Sequence, residues 1–249
     1  MKFTKYDTFV FDVDGTLWNS KNLFPGVTGT IKLLREAKRQ VLFVTNRTLT
    51  GRAQILKRLQ HLGLTIRDDE LVTSSEGAAE FLKGKKGNIM IFGDGVKKDF
   101  RKWGIKYINS LPVKYVVLSH DPSLNYKKLG LIYKAYTQGA TIIATAVGRL
   151  FSYSNEMLPG MGSIIAAIEF MTQKKVTFVG KPSEYVAKLV KAKVRGKKVI
   201  MFGDEANSDI PFAKSLGWTS VLVQTGVDKK SWTKYKPDYV LKSVADIEI

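Results

Sequence analysis

The sequence predicts an α/β protein, a parallel sheet with helices over both faces. Three observations carry this. Short runs of apolar, β-favouring residues recur along the 249 residues and alternate with stretches of helical periodicity. The runs are apolar throughout rather than at every second position, which is the pattern of strands buried on both faces. Four of the runs end directly in polar clusters, and ligands in such sheets sit beyond the carboxyl ends of the strands.

In chain order, a strand is expected at Thr8-Phe11, then a helix over Val27-Arg39 and a strand at Gln40-Val44. Helices over Arg52-Leu62 and Glu76-Leu82 follow, with strands at Ile89-Phe92 and Tyr115-Leu118. A helix over Tyr126-Tyr136 leads to a strand at Thr141-Ala144, and a helix over Ser163-Met171 to a strand at Val176-Val179. The last elements are a helix over Glu184-Lys193, a strand at Val199-Phe202, a helix over Ile210-Leu216 and a strand at Thr219-Val223. Neither internal repeats nor low-complexity tracts interrupt this alternation.

Composition narrows the class. The chain is 44% hydrophobic and 25% charged, ordinary for a globular protein that buries a sizeable core. It has no cysteine, which excludes a disulfide framework and a thiolate zinc site. No apolar run reaches membrane-spanning length, and Met1-Lys2 lead straight into a strand-like segment, so the expectation is a cytoplasmic protein without a membrane partner. The net charge of +18 suggests attraction for anions. Its lysine clusters, such as Lys97-Lys98-Arg101-Lys102, lack the interleaved aromatics of a single-strand-binding platform. Solvated helix faces are the favoured reading of the charge, and a nucleic-acid partner is not expected.

The four strand ends carry the chemistry. After the first strand stand Asp12, Asp14, Gly15 and Thr16; after the second, Thr45 and Asn46. After Val176-Val179 come Gly180, Lys181 and Pro182, and after Val199-Phe202 come Gly203, Asp204, Asn207, Ser208 and Asp209. Each alone reads as a capped turn or a loop. All four, in this order, at the carboxyl ends of strands in one α/β pattern point to a shared site. The carboxylates of Asp12, Asp14 and Asp204 form a hard oxygen set suited to Mg²⁺. Lys181 is a point charge suited to a phosphoryl oxygen, and the Thr45 hydroxyl can hold another. A carboxylate is ionised at neutral pH and can attack phosphorus without a helper base. Two aspartates two residues apart then divide the work, Asp12 as nucleophile and Asp14 as the acid that protonates the departing alkoxide and later deprotonates water.

These residues carry a family resemblance. "DVDGTLW", "VTNRT", "VGKPS" and "MFGDEANSDI" resemble the four motifs of the haloacid dehalogenase-like (HAD) phosphatases. "LVTSSEGAAEFL", "GATIIAT", "LPGMGSIIAAIE" and "PDYVLKSVADI" are similar to the branch of 4-nitrophenylphosphatase and NagD-type enzymes, subfamily IIA. The resemblance implies a Rossmann-like core of residues 1-77 and 177-249 with an inserted α/β cap of residues 78-176. It implies an Mg²⁺-dependent phosphomonoesterase that acts on a small phosphorylated metabolite or nucleotide through an aspartyl-phosphate. Under it Asp12 is nucleophile and metal ligand, and Asp14 is acid/base and a ligand through its carbonyl. Asp204 is the third ligand, with Asp209 in support, and Thr45, Asn46 and Lys181 bind the phosphoryl group. Assembly into a homo-oligomer through the cap is compatible with this reading. A non-catalytic phosphate-binding protein on the same fold, or a phosphotransferase, is the alternative.

Departures from the family pattern fall around the site. Ala144-Thr145-Ala146-Val147-Gly148 stands where relatives often read Ala-Thr-Asn-Pro-Asp, Arg47 where Asn is frequent, and Glu205 where Arg is common. For His120 and Arg149, packing or surface roles are expected ahead of substrate contact.

Overall fold

The computed structural model describes residues 2–153, 156–228 and 235–249, with side chains described outside 151–157. Its elements run β1 (Thr8–Phe11), α1 (Val27–Glu36), β2 (Gln40–Thr45), α2 (Arg52–His61), β3 (Leu71–Thr73), α3 (Ser74–Leu82), β4 (Ile89–Phe92) and α4 (Asp94–Lys102). They continue β5 (Tyr115–Leu118), α5 (Tyr126–Thr137), β6 (Thr141–Ala144), β7 (Leu150–Tyr153), β8 (Glu156–Pro159), α6 (Met161–Thr172) and β9 (Thr177–Phe178). The chain finishes α7 (Glu184–Lys191), β10 (Val199–Gly203), α8 (Asp209–Ser215), β11 (Thr219–Val223) and β12 (Tyr239–Leu241).

Two parallel sheets result. The first has the order β12-β11-β10-β1-β2-β3, the second β4-β5-β6-β9. A separate antiparallel hairpin joins β7 and β8. The α/β class and the parallel sheet expected from the apolar runs are therefore present.

Strand β1 shows why its sequence must lie inside. All four of its residues are buried. Phe9 and Phe11 join one apolar cluster with Phe43, Ile200 and Phe202. Val10 points the other way, to Leu42, Val44 and Met201. Alternate side chains of a strand face opposite sides, so a centre strand covered twice must be apolar at every position. The ring of Phe11 lies 5.0 Å from that of Phe202, nearly parallel to it.

The order of strands fixes the location of chemistry. The chain lays down β1, β2 and β3 in one direction, leaves to build the second sheet, and returns to place β10, β11 and β12 on the opposite side of β1. The reversal falls between β1 and β10, and their carboxyl ends diverge into a crevice there.

Several boundaries differ from the sequence reading. Helix α1 ends at Glu36 rather than Arg39, because Lys38 adopts a left-handed backbone with φ of 56°. Helix α3 starts at Ser74, two residues early, where the Thr73 hydroxyl caps the Glu76 amide and Glu76 returns the bond to the Thr73 amide. Helix α7 stops at Lys191. Strands β3, β7, β8 and β12 and helix α4 have no counterpart in the sequence reading.

Candidate active site

The loops after β1, β2, β10 and β11 of the first sheet, together with those after β5, β6 and β9 of the second, enclose a cavity of about 460 Å³. Asp12, Asp14, Thr45, Asn46, Lys181, Asp204 and Asp209 all line it. The structure thus brings together these seven candidate site residues of the four strand ends.

At the buried end, Lys181 Nζ donates to Asp12 Oδ1 at 2.5 Å and to Asp209 Oδ1 at 2.6 Å. Lys181 is 1% exposed and Asp12 5%. Asp12, Asp204 and Asp209 each offer an oxygen within 4.8 Å of the others. Burial pushes Asp12 up to about 7 despite the pull of Lys181. Burial, then the charges of Asp12 and Asp209, raise Asp204 well above the carboxylate range. Burial opposes the charge on Lys181, and the carboxylates of Asp12 and Asp209 outweigh it, so its pKa stands above the ordinary lysine value. Glu205, also in the cavity wall, is lifted to about 8, chiefly by burial.

The donor set fits a small, hard cation. Asp12 Oδ2 is buried and has no hydrogen-bond partner among the described residues. Bare backbone packs against Asp204: a Cβ at Gly15 or Gly226 would fall 2.2 or 1.9 Å from its Oδ2. Gly15 also has φ of 77°, which favours glycine. Oxygen ligands alone, with two or three carboxylates, suit Mg²⁺ better than zinc.

Asp14 stands apart from this cluster. Its side chain is 35% exposed and pairs with Arg47 at 2.7 Å. The Thr45 hydroxyl lies 3.4 Å from Asp14 Oδ2 and accepts the Arg47 amide at 3.0 Å. The side chain of Asn46 is engaged elsewhere. Its Nδ2 donates to the Lys181 carbonyl at 3.0 Å and its Oδ1 accepts the Lys181 amide at 2.8 Å. That pairing has it holding the Lys181 backbone in place. Asp209 starts α8 and accepts the Glu205 amide at 3.0 Å as well as Lys181.

His120, expected to pack or face solvent, lines the cavity beside Thr48, whose hydroxyl lies 3.2 Å from Nδ1. Its pKa is lowered to about 4, by burial first and by the charge of Arg47, with Asp14 opposing. Arg149 is exposed. Sequence reasoning overlooked the loop after β11. There Thr225 donates to the Gly15 carbonyl at 2.6 Å and the Val227 amide donates to Asp204 at 2.8 Å. The signal was available: Gln224-Thr225-Gly226 is a fifth polar cluster at a strand end.

A doubly covered parallel sheet with a buried lysine-bridged carboxylate cluster at its switch point is an arrangement suited to phosphoryl transfer. Comparison with known proteins agrees. Residues 9–106 match the family described as haloacid dehalogenase-like hydrolase, and residues 178–247 match a HAD-hydrolase-like family. The chain is 32% identical to phosphoglycolate phosphatase 2 of Arabidopsis thaliana, over 98% of this chain and 93% of that protein. It is 31% identical to the sugar-phosphatase AraL of Bacillus subtilis, over 96% of this chain and 90% of that protein. The crystal structure of 4-nitrophenylphosphatase from Thermotoga maritima superimposes with a TM-score of 0.85 at 29% identity, covering 97% of this chain and 96% of that one. The chain belongs to the haloacid dehalogenase-like hydrolases, in their NagD and 4-nitrophenylphosphatase branch, and is a phosphatase. No described helix is long and apolar enough to cross a membrane.

Proposed function

We propose that this phosphatase is an Mg²⁺-dependent phosphomonoesterase for small phosphorylated metabolites, working through an aspartyl-phosphate on Asp12. The observation that carries the reading is the buried Lys181 bridge. It fixes one oxygen of Asp12 and leaves the other, Oδ2, without a hydrogen-bond partner among the described residues, at the cavity wall.

Asp12, Asp204 and the Asp14 carbonyl would hold the cation, which supplies positive charge against the oxygens of the phosphoryl group. Lys181 supplies a second, fixed positive charge and orients Asp12. Asp12 attacks phosphorus, the ester P–O bond breaks, and the departing alkoxide takes a proton from Asp14. Asp14, now ionised, removes a proton from water. That water attacks the phosphoenzyme, the bond to Asp12 breaks, phosphate leaves, and Asp14 is again protonated. Asn46 holds the Lys181 backbone, and the Thr45 hydroxyl would meet a phosphoryl oxygen.

We further propose a division into a core of residues 1-77 and 177-249 and a cap of residues 78-176. Separate pairing of the two sheets supports the division, while Thr177–Phe178 pair with β6 and so carry the cap's sheet two residues past that boundary. Ala146, Gly148 and His120 then reach the cavity from the cap and face the leaving group. The cavity volume suits a metabolite rather than a polymer. The sugar phosphates and phosphoglycolate in the names of its relatives are the first compounds to test.

The test is phosphate release over a panel of sugar phosphates, phosphoglycolate, glycerol phosphate and nucleoside monophosphates, with chelator and with Mg²⁺. The wild type should lose activity in chelator and regain it with Mg²⁺. Asp12→Asn should abolish turnover and any phosphoenzyme detected by mass. Full activity in chelator, or turnover by Asp12→Asn, overturns the reading. An alcohol acceptor that outcompetes water would instead make the enzyme a phosphotransferase.

A further inference from the structure

We propose that Arg47 is the positioning residue for Asp14: it fixes that carboxyl group at the angle from which it protonates the leaving alkoxide. The inference rests on the reading of Asp14 as acid/base. It adds a residue that the four strand-end clusters do not contain.

Asp14 is a partly exposed carboxylate of the cavity wall, and an aspartate there is free to rotate unless something holds it. Here both oxygens are held. Arg47 Nη1 donates to Oδ1 at 2.7 Å, and the Ser20 hydroxyl lies 3.3 Å from the same oxygen. The Thr45 hydroxyl lies 3.4 Å from Oδ2. The clamp is itself braced. Arg47 Nη1 also donates to Ser20 Oγ at 3.0 Å, and the guanidinium carbon sits 5.2 Å from the centre of the Trp18 ring. Trp18 is 2% exposed, so the surface under the guanidinium is rigid.

Nη1 alone meets Asp14 and Ser20 together, while the guanidinium carbon lies over the Trp18 ring, a contact that arginine favours. An asparagine at the same place is too short to cross Trp18 and reach the loop after β1. Arg47 is 13% exposed and its charge is directed at Asp14. Reading an anionic group on the substrate is the competing role, and it predicts different kinetics.

The experiment measures kcat/KM, which reports steps up to the first irreversible one, here transfer to Asp12. Wild type, Arg47→Ala, Arg47→Lys, Asp14→Asn and the Arg47→Ala/Asp14→Asn double variant are assayed with saturating Mg²⁺. The substrates are 4-nitrophenyl phosphate, glycerol phosphate and phosphoglycolate. Nitrophenolate leaves without protonation and an alkoxide does not. Arg47→Ala should therefore lose about 10²-fold on glycerol phosphate, the cost of misplacing a reacting group by about 1 Å. It should lose less than about fivefold on 4-nitrophenyl phosphate, which asks little of a general acid. Arg47→Lys and added millimolar guanidinium should each restore part of the loss. In the Asp14→Asn background, Arg47→Ala should cost nothing further on glycerol phosphate, because the group it positions is gone.

Equal losses on both leaving groups overturn the proposal, as does a loss confined to KM for phosphoglycolate, which would make Arg47 a substrate-anion contact. Selectivity for the leaving group in Asp14→Asn alone overturns the proposal and leaves the acid/base reading standing. A flat response in both variants removes that reading and this proposal with it. Thermal melts of each variant separate these outcomes from loss of fold.

Discussion

Lys181→Met removes one buried charge while keeping most of the side-chain volume, and its consequence follows from the spacing of the acids. Lys181 contacts two carboxylates at 2.5 and 2.6 Å and is 1% exposed. Without it, Asp12, Asp204 and Asp209 face one another with oxygens within 4.8 Å and no cation between them. At an effective dielectric constant of about 20, each ionised pair at that separation repels by about 3–4 kcal/mol. The carboxylates escape part of this by taking up protons, so the net loss should match the breaking of a buried pair, about 3–5 kcal/mol. The assay is urea unfolding at pH 8 in chelator, followed by tryptophan fluorescence, for wild type and variant. Two companion measurements make the reasoning specific. Adding Mg²⁺ should recover part of the loss, because a cation replaces the missing charge. Adding Asp209→Asn should also recover part, because it removes two of the three repulsions. A Lys181→Met protein within about 1 kcal/mol of wild type in chelator would refute the argument. So would a double variant less stable than the single one.

Two further predictions test other parts of the molecule. Gly226→Ala places a Cβ 1.9 Å from Asp204 Oδ2, so the carboxylate must move by about 1 Å or more. Phosphate release should fall about 10²-fold, with a raised Mg²⁺ requirement and an unchanged melting temperature measured in chelator; wild-type kinetics would show that Asp204 is not held where the site needs it. His120 is neutral in the folded protein, its pKa lowered to about 4, while the unfolded chain takes up a proton near 6.5. The folded state binds fewer protons, so this contribution to stability is present above pH 6.5 and is lost as pH falls from 6.5 towards 4. Between pH 7 and pH 5 it amounts to about 2 kcal/mol, and urea unfolding of His120→Asn should lack that part of the loss; equal losses in the two proteins would refute it.

What the sequence disclosed follows from where information is local. Thr8–Phe11, Ile89–Phe92, Tyr115–Leu118, Thr141–Ala144 and Thr219–Val223 are read residue for residue, because a strand covered twice shows as an unbroken apolar run. Strand β3 has only three residues, and β7 and β8 pair only with each other, so neither produces such a run. Helix α4 hides for another reason. Among the residues Asp94–Lys102 only Val96 and Phe100 are large and apolar, and its third sizeable buried side chain is Asp99, which accepts the Arg52 amide at 2.7 Å. A carboxylate that caps another helix looks like a surface residue until the other helix is in view.

The site divides along the same line. Identities at strand ends were legible because a parallel sheet delivers its carboxyl ends to one edge, as the first sheet does for Asp12, Asp14, Thr45, Asn46 and Asp204, while Lys181 arrives from the end of β9 in the second sheet. Which side chains hold one another was not, since the partners are far apart in sequence. Asn46 and Lys181 are 135 residues apart, and nothing local distinguishes an amide that binds substrate from one that binds backbone. Arg47 and Asp14 are 33 apart. The glycines show how the fold converts strand ends into a fixed constellation. Gly15, Gly203 and Gly226 lie so close to Asp204 and Asp209 that any Cβ there would fall within 2.3 Å of a carboxylate atom. Backbone rather than flexible side chains therefore sets the positions of these acids, and they cannot drift apart to relieve their repulsion. A cluster so confined is destabilising until positive charge enters it. That is the condition in which a cation and a phosphoryl group bind most strongly, and in which Lys181 alone carries the load in their absence.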